Sequence, residues 1–139
     1  MFERCLYFNI NALTRAVNTI WSDAFAEFGL SPAHAYLLRL VLSDPGLTPK
    51  QISFELKLEK STVTRFLDVL AKKGFINRKK GINKDAREQN IYPTPEAENI
   101  SAKLEEKGNE LYQKMINKIG EPKFILLVDQ LRNIRTKIK

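Results

Sequence analysis

Three residues, Lys57-Leu58-Glu59, are all that separate two helical patterns in the middle of this chain. Upstream, Thr48 is a residue that caps helices, Pro49 suits the first helical position, and Gln51 stands three residues after Thr48, where a capping box takes Glu or Gln. That pattern predicts a short helix ending near Leu56. Downstream, Val63, Phe66, Leu67 and Leu70 fall on one face of a helix that advances ~100° per residue. Two short helices joined by so tight a turn make a helix-turn-helix.

The opposite face of the second helix carries Ser61, Arg65, Asp68 and Lys72, flanked by Thr62 and Thr64, with Lys60 at its start. A short-polar, basic face suits the DNA major groove, where Arg reads guanine with two hydrogen bonds and Ser or Thr reach bases and phosphates. An ordinary solvated helix face has the same composition, so the face alone does not decide. The next residues do more. Lys72-Lys73-Gly74 reads as a basic last turn with a left-handed glycine cap, Phe75–Arg78 as a strand, 81–88 as a charged turn, and Gln89–Tyr92 as the returning strand. Pro93 has no N–H to give a ladder, which predicts that the second strand ends by Tyr92. Two helices and a hairpin form a winged helix, and the wing carries Arg78, Lys79, Lys80, Lys84 and Arg87.

The flanks are helical. Leu6, Ile10, Leu13, Val17, Ile20, Phe25 and Phe28 predict one long amphipathic helix ending at Gly29, and Ser31-Pro32 caps a second over Ala33–Leu42, closed by Asp44-Pro45-Gly46. After Thr94-Pro95-Glu96 a long polar helix runs to Ile119 with a sparse stripe of Ile100, Leu104, Leu111 and Met115. Gly120-Glu121-Pro122 breaks it. In the last segment Phe124, Leu127, Val128, Leu131 and Ile134 form an apolar stripe, with Ile125 and Leu126 beside it. Such a stripe needs cover, from the chain itself or from a second copy.

Of the 139 residues 23 are Lys or Arg and 16 Asp or Glu, a formal +7 that favours an anionic partner. With 43% apolar residues the chain can build a core. The longest apolar run, near Tyr36–Leu42, is interrupted by Arg39 and too short for a bilayer; the start lacks a secretory pattern; a cytoplasmic, membrane-free protein is expected. Cys5 is the single cysteine and His34 the single histidine. Together they fall short of a zinc or iron ligand set, no glycine loop cradles a nucleotide, and no nucleophile has an orienting acid, so neither metal, cofactor nor catalysis is expected.

STVTRFLDVLAKKGFINR followed by KDAREQNIYPT resembles the MarR/SlyA family of bacterial and archaeal transcription regulators. The resemblance implies a mainly α winged helix-turn-helix with a small β-hairpin wing and a helical dimerisation body. It places dimerisation in residues 1–30 and 96–139 and DNA binding in 31–95, and it implies a homodimer on an inverted repeat of double-stranded DNA. Ser61, Thr62, Thr64 and Arg65 match the groove-facing positions, and Asp85 and Arg87 the wing-tip pair. Trp21 and Phe25, one turn apart, then line an effector cavity for a small phenolic or anionic compound, with His34 as an anion contact; the residues by themselves favour the plainer reading, Trp21 and Phe25 as core and His34 as a partly buried polar group. Cys5 falls upstream of the reactive cysteine of the family's peroxide-sensing branch, so sensing is not expected. Three positions depart from the pattern: Lys57 stands for Gly, Pro93 for Leu and Ala97 for Gly. The first predicts a slightly altered turn. The competing reading is a winged-helix module that docks on protein; lysine-rich, aromatic-poor faces disfavour it.

Overall fold

The computed structural model describes residues 1–80 and 89–139. The order of elements is α1 (Leu6–Phe25), α2 (Pro32–Ser43), α3 (Pro49–Leu56), α4 (Lys60–Lys72), β1 (Ile76–Lys80), β2 (Gln89–Pro93), α5 (Pro95–Ile119) and α6 (Glu121–Lys137). The predicted fold class, mainly α with a two-stranded sheet, is what the chain adopts. The chain divides into two compact units, Met1–Glu105 and Glu106–Lys139.

In the first unit, α2 and α3 start where side-chain caps dictate. Ser31 Oγ accepts from the His34 N–H at 3.3 Å at the head of α2. At α3 the predicted capping box is complete: Thr48 Oγ1 accepts from the Gln51 N–H at 3.2 Å and Gln51 Oε1 from the Thr48 N–H at 2.9 Å. The first helix is shorter than its apolar periodicity implies. Its α-helical part stops at Phe25, and Ala26–Phe28 tighten into a 3-10 turn before Gly29 reverses the chain at φ 67°.

The turn between α3 and α4 has the path a glycine would take, but with Lys57 in the left-handed conformation at φ 56°, ψ 44°. Leu58 N–H donates to Ser53 O at 3.1 Å and the Ser53 hydroxyl donates to Leu58 O, so the turn is closed from both sides. The departure from glycine is therefore absorbed as strain on one residue, on the order of 1 kcal/mol, not as a different turn. At the far end of α4 the predicted glycine cap is present. Gly74 has φ 82°, its N–H donates to Ala71 O at 3.0 Å, and Phe75 N–H donates to Leu70 O at 2.9 Å.

That last bond explains why the strand starts one residue late and runs longer than predicted: Phe75 N–H closes the helix, and the ladder pairs Ile76 with Pro93 through to Lys80 with Gln89. The expectation that the second strand ends by Tyr92 is corrected by one residue. Pro93 occupies the terminal position, where its missing donor costs nothing, and Thr94 N–H resumes bonding to Phe75 O at 3.1 Å. Sequence reading also missed an anchor. Leu47 forms an isolated bridge with Ile91, and Asn90 Nδ2 donates to Gly46 O at 2.7 Å, fastening β2 to the loop after α2.

The core of this unit joins α2, α3, α4 and the sheet through Leu37, Leu38, Ile52, Val63, Leu67, Leu70 and Ile91, all essentially without exposed surface. Each such side chain contributes about 1.5–3 kcal/mol by burial, and truncating Leu67 to Ala would cost about 2–5 kcal/mol. In the second unit, the predicted sparse stripe of α5 is real: Leu111 and Met115 are buried, and Tyr112 meets Phe124 edge to face at 5.3 Å. No residue of α6 is buried. No helix among the described residues is long and apolar enough to cross a membrane.

Candidate nucleic-acid interface

The face of α4 opposite the core is built as its periodicity implies. Val63, Leu67 and Leu70 are wholly or almost wholly buried, and Lys60, Ser61, Thr64, Arg65, Asp68 and Lys72 are exposed, with Thr62 and Phe66 at the margins. Anchoring three apolar side chains fixes the rotation of the helix about its axis, so the polar side chains emerge in a fixed order. Their hydrogen bonds are partly local. Arg65 Nη2 donates to Thr62 Oγ1 at 3.3 Å, laying the guanidinium along the helix toward its N-terminus. Thr64 Oγ1 donates to Lys60 O at 3.1 Å, which leaves its lone pairs and methyl outward. Glu59 stands at the N-cap of α4 without a side-chain bond to the first turn. The first-turn N–H groups therefore receive no side-chain cap from Glu59.

The strand cations do not form one patch. Alternation along β1 puts Ile76, Arg78 and Lys80 on one side of the ribbon and Asn77 and Lys79 on the other. Ile76 enters the core, so Arg78 points toward α4, where its Nη2 donates to Asp68 Oδ1 at 2.5 Å. Lys79 lies on the other side, its Nζ 4.9 Å from the centre of the Tyr92 ring. Lys80 is exposed. Lys84, Asp85 and Arg87 lie outside the described residues.

The three proposed effector residues are separated by burial. Phe25 has no exposed surface and packs against Phe28 and, edge-on, against Tyr36 at 6.0 Å. Trp21 is half-buried, and its Nε1–H donates to the Tyr36 hydroxyl at 3.2 Å. His34 sits on α2 with Nδ1 2.6 Å from Ser31 Oγ and its ring edge-on to Phe66 of α4 at 4.6 Å. Burial holds the His34 imidazole below its ordinary pKa, and the charge of Lys73 pushes in the same direction.

A further cluster had only one sequence signal, the arginine that interrupts the Tyr36–Leu42 run. Arg39 grips Glu105 with two bonds, Nε to Oε1 at 2.9 Å and Nη2 to Oε2 at 3.1 Å, and its guanidinium lies 4.9 Å above the Tyr36 ring. The hydrogen bonds from Arg39 hold the Glu105 carboxyl below the usual carboxylate range. Trp21, Tyr36, Arg39 and Glu105 thus tie α1, α2 and the first half of α5 together. Among the described residues no group of three or more His, Cys, Asp or Glu side chains could hold a metal ion.

A helix-turn-helix fastened to an antiparallel ribbon, with an exposed polar helix face beside them, defines a winged-helix protein. Residues 28–88 match the model of the MarR family. The fold is shared with a PcaV transcriptional regulator of Streptomyces coelicolor solved with its natural ligand (TM-score 0.87, 17% identity, 100% of this chain and 97% of that one). It is shared too with MepR of S. aureus solved with DNA (TM-score 0.85, 17% identity, 99% and 100%) and a MarR protein of Peptoclostridium difficile (TM-score 0.84, 21% identity, 98% and 88%). A search of curated proteins gives no match. The middle of the chain thus matches the MarR family model, and the fold is that of solved MarR-type transcriptional regulators.

Proposed function

We propose that the protein is a cytoplasmic, sequence-specific DNA-binding transcription regulator that acts as a homodimer on an inverted-repeat operator. The observation that carries this reading is the construction of α4: three core side chains fix its rotation, and every outward group from Lys60 to Arg65 is cationic or a short hydroxyl. Arg78, Lys79 and Lys80 add cations on the adjoining strand, and MepR, of the same fold, has been solved on DNA. In this reading Ser61, Thr62, Thr64 and Arg65 enter the major groove, Lys60 and the strand cations meet phosphates, and Asp85 orients Arg87 in the minor groove.

Residues 1–30 and 96–139 are proposed as the dimer body. Support comes from the apolar surface left at both chain ends, Phe2, Leu6, Tyr7, Phe8, Ile10 and Leu13 on one and Ile125 to Ile134 on the other. A small phenolic or anionic effector is proposed to release the DNA, as PcaV has been solved with a ligand. Trp21 and His34 are accessible to such a molecule; Phe25 reaches it only if the fold opens.

The test is binding-site selection on random duplexes, repeated at several salt concentrations and with phenolic ligands. The expected sites have dyad symmetry with half-sites ~34 Å apart, and the log–log salt slope gains about −0.9 per neutralised phosphate. Sites without a dyad, or a flat salt response, would favour the protein-docking module instead.

A further inference from the structure

α4 carries one acidic residue, Asp68, and it lies on the exposed face, three residues beyond Arg65. A carboxylate there opposes a phosphate backbone by like charge. Arg65 is placed to neutralise it within the helix but turns away to Thr62. The carboxylate goes instead to Arg78 on β1, ten residues on, in a bond with 27% of the arginine side chain and 63% of the aspartate side chain exposed. An ion pair so open to water adds little to fold stability. Its effect falls on the arginine: a long side chain with many rotamers is held at the junction of reading helix and strand. A guanidinium carries five N–H donors, more than one carboxylate oxygen takes up, so the paired Arg78 can still grip a phosphate.

We propose that Asp68 is a positioning residue for DNA binding: it holds the Arg78 guanidinium between α4 and β1 for one backbone phosphate per half-site. The assignment rests on the DNA-binding reading above and adds to it an acidic residue whose removal harms binding to an anion. The alternation of β1 gives this task to Arg78 and not to Lys79, which lies on the other side of the ribbon over Tyr92.

The test is a double-mutant cycle on the selected operator, with Asp68→Ala, Arg78→Ala and the pair, and with Asp68→Asn as a second substitution that keeps the side chain's size. Freeing one rotamer-rich side chain should weaken operator binding about 2- to 10-fold for Asp68→Ala, despite the loss of a negative charge. In the Arg78→Ala background the same substitution should tighten binding, since only the charge is left to matter. Arg78→Ala should reduce the log–log salt slope by about 0.9 per half-site. Tighter binding in both backgrounds would reduce Asp68 to a repulsive charge, and equal weakening in both would give it a role independent of Arg78; either overturns the proposal. Melting curves of all variants should coincide with the parent; a destabilised Asp68 variant whose binding loss persists without Arg78 overturns it as well. A parent protein that binds no duplex fails at the level of DNA binding itself, which the cycle distinguishes because it starts from measured operator affinity.

Discussion

α4 and α6 are both amphipathic, and each leaves a face without a partner in the single chain, in opposite senses. α4 buries Val63, Leu67 and Leu70 and shows water a row of hydroxyls and cations. α6 buries nothing and shows water Ile125, Leu126, Leu127, Val128, Leu131 and Ile134. Water satisfies the first face, so a partner must offer charge to compete with it. Water is driven from the second, so a partner need offer only matching apolar surface. Composition of the uncovered face, more than the periodicity that built the helix, separates the two kinds of partner.

The harshest way to break this contrast is to put a charge on the apolar face. Leu131→Asp should cost the dimer on the order of 3–5 kcal/mol by leaving a carboxylate in a dry interface, leaving monomer in sedimentation at micromolar concentration and no operator binding. A dimer of unchanged stability would mean that α6 is covered by something else. Arg65→Ala asks the complementary question of α4. It should weaken binding to the best site by about 1–3 kcal/mol and blur one base preference per half-site, with the dimer and the melting temperature untouched, because the side chain is exposed.

How far each helix could be read from sequence follows the range of the interactions that define it. The capping box at Thr48, the glycine cap at Gly74 and the buried stripe of α4 are local, and their residue types sit at fixed spacings. The contacts that complete the site are not local. Arg39 and Glu105 are 66 residues apart, Asn90 reaches back to Gly46 across 44, and nothing in the chain's periodicity pairs them. Trp21 and Phe25 look equivalent in sequence, one turn apart on one helix, yet Phe25 is sealed in the core and Trp21 spends its N–H on Tyr36. Which of two such aromatics is sealed depends on where α2 crosses, a fact absent from the pattern. The bridge that anchors β2 through Leu47 was invisible for the same reason.

The next effect is smaller and of opposite sign. Lys57 holds a left-handed conformation at the entrance to α4, so Lys57→Gly should stabilise the fold by about 0.5–1 kcal/mol, less whatever the unfolded chain gains in freedom. Calorimetry should show a rise of a few degrees at most. If operator affinity falls at the same time, the lysine is a phosphate contact held in strain; if it is unchanged, the strain has no such role.

The smallest effect separates the two helices by pH. His34 is the chain's one histidine, and its ring lies against Phe66 on the edge of α4, whereas α6 carries no histidine. Burial and Lys73 depress its pKa in the folded state. With a folded value below the unfolded one, the unfolded chain binds more protons as pH falls, so stability is fully present above the ordinary histidine value of ~6.5 and is lost as pH drops through the folded value. The ring is only partly buried, so the loss is a fraction of a kcal/mol. Denaturant titrations between pH 7.5 and 5, a window chosen to bracket ~6.5, should show a shallow decline that His34→Gln abolishes, with Ser31 left in place to cap α2. Sedimentation over the same range should show the dimer unmoved, since α6 carries no histidine. A dimer that weakens in step with fold stability, and stops doing so in the His34→Gln variant, would tie α6 to the packing of α2 on α4 and end the separation between a charged face and an apolar one.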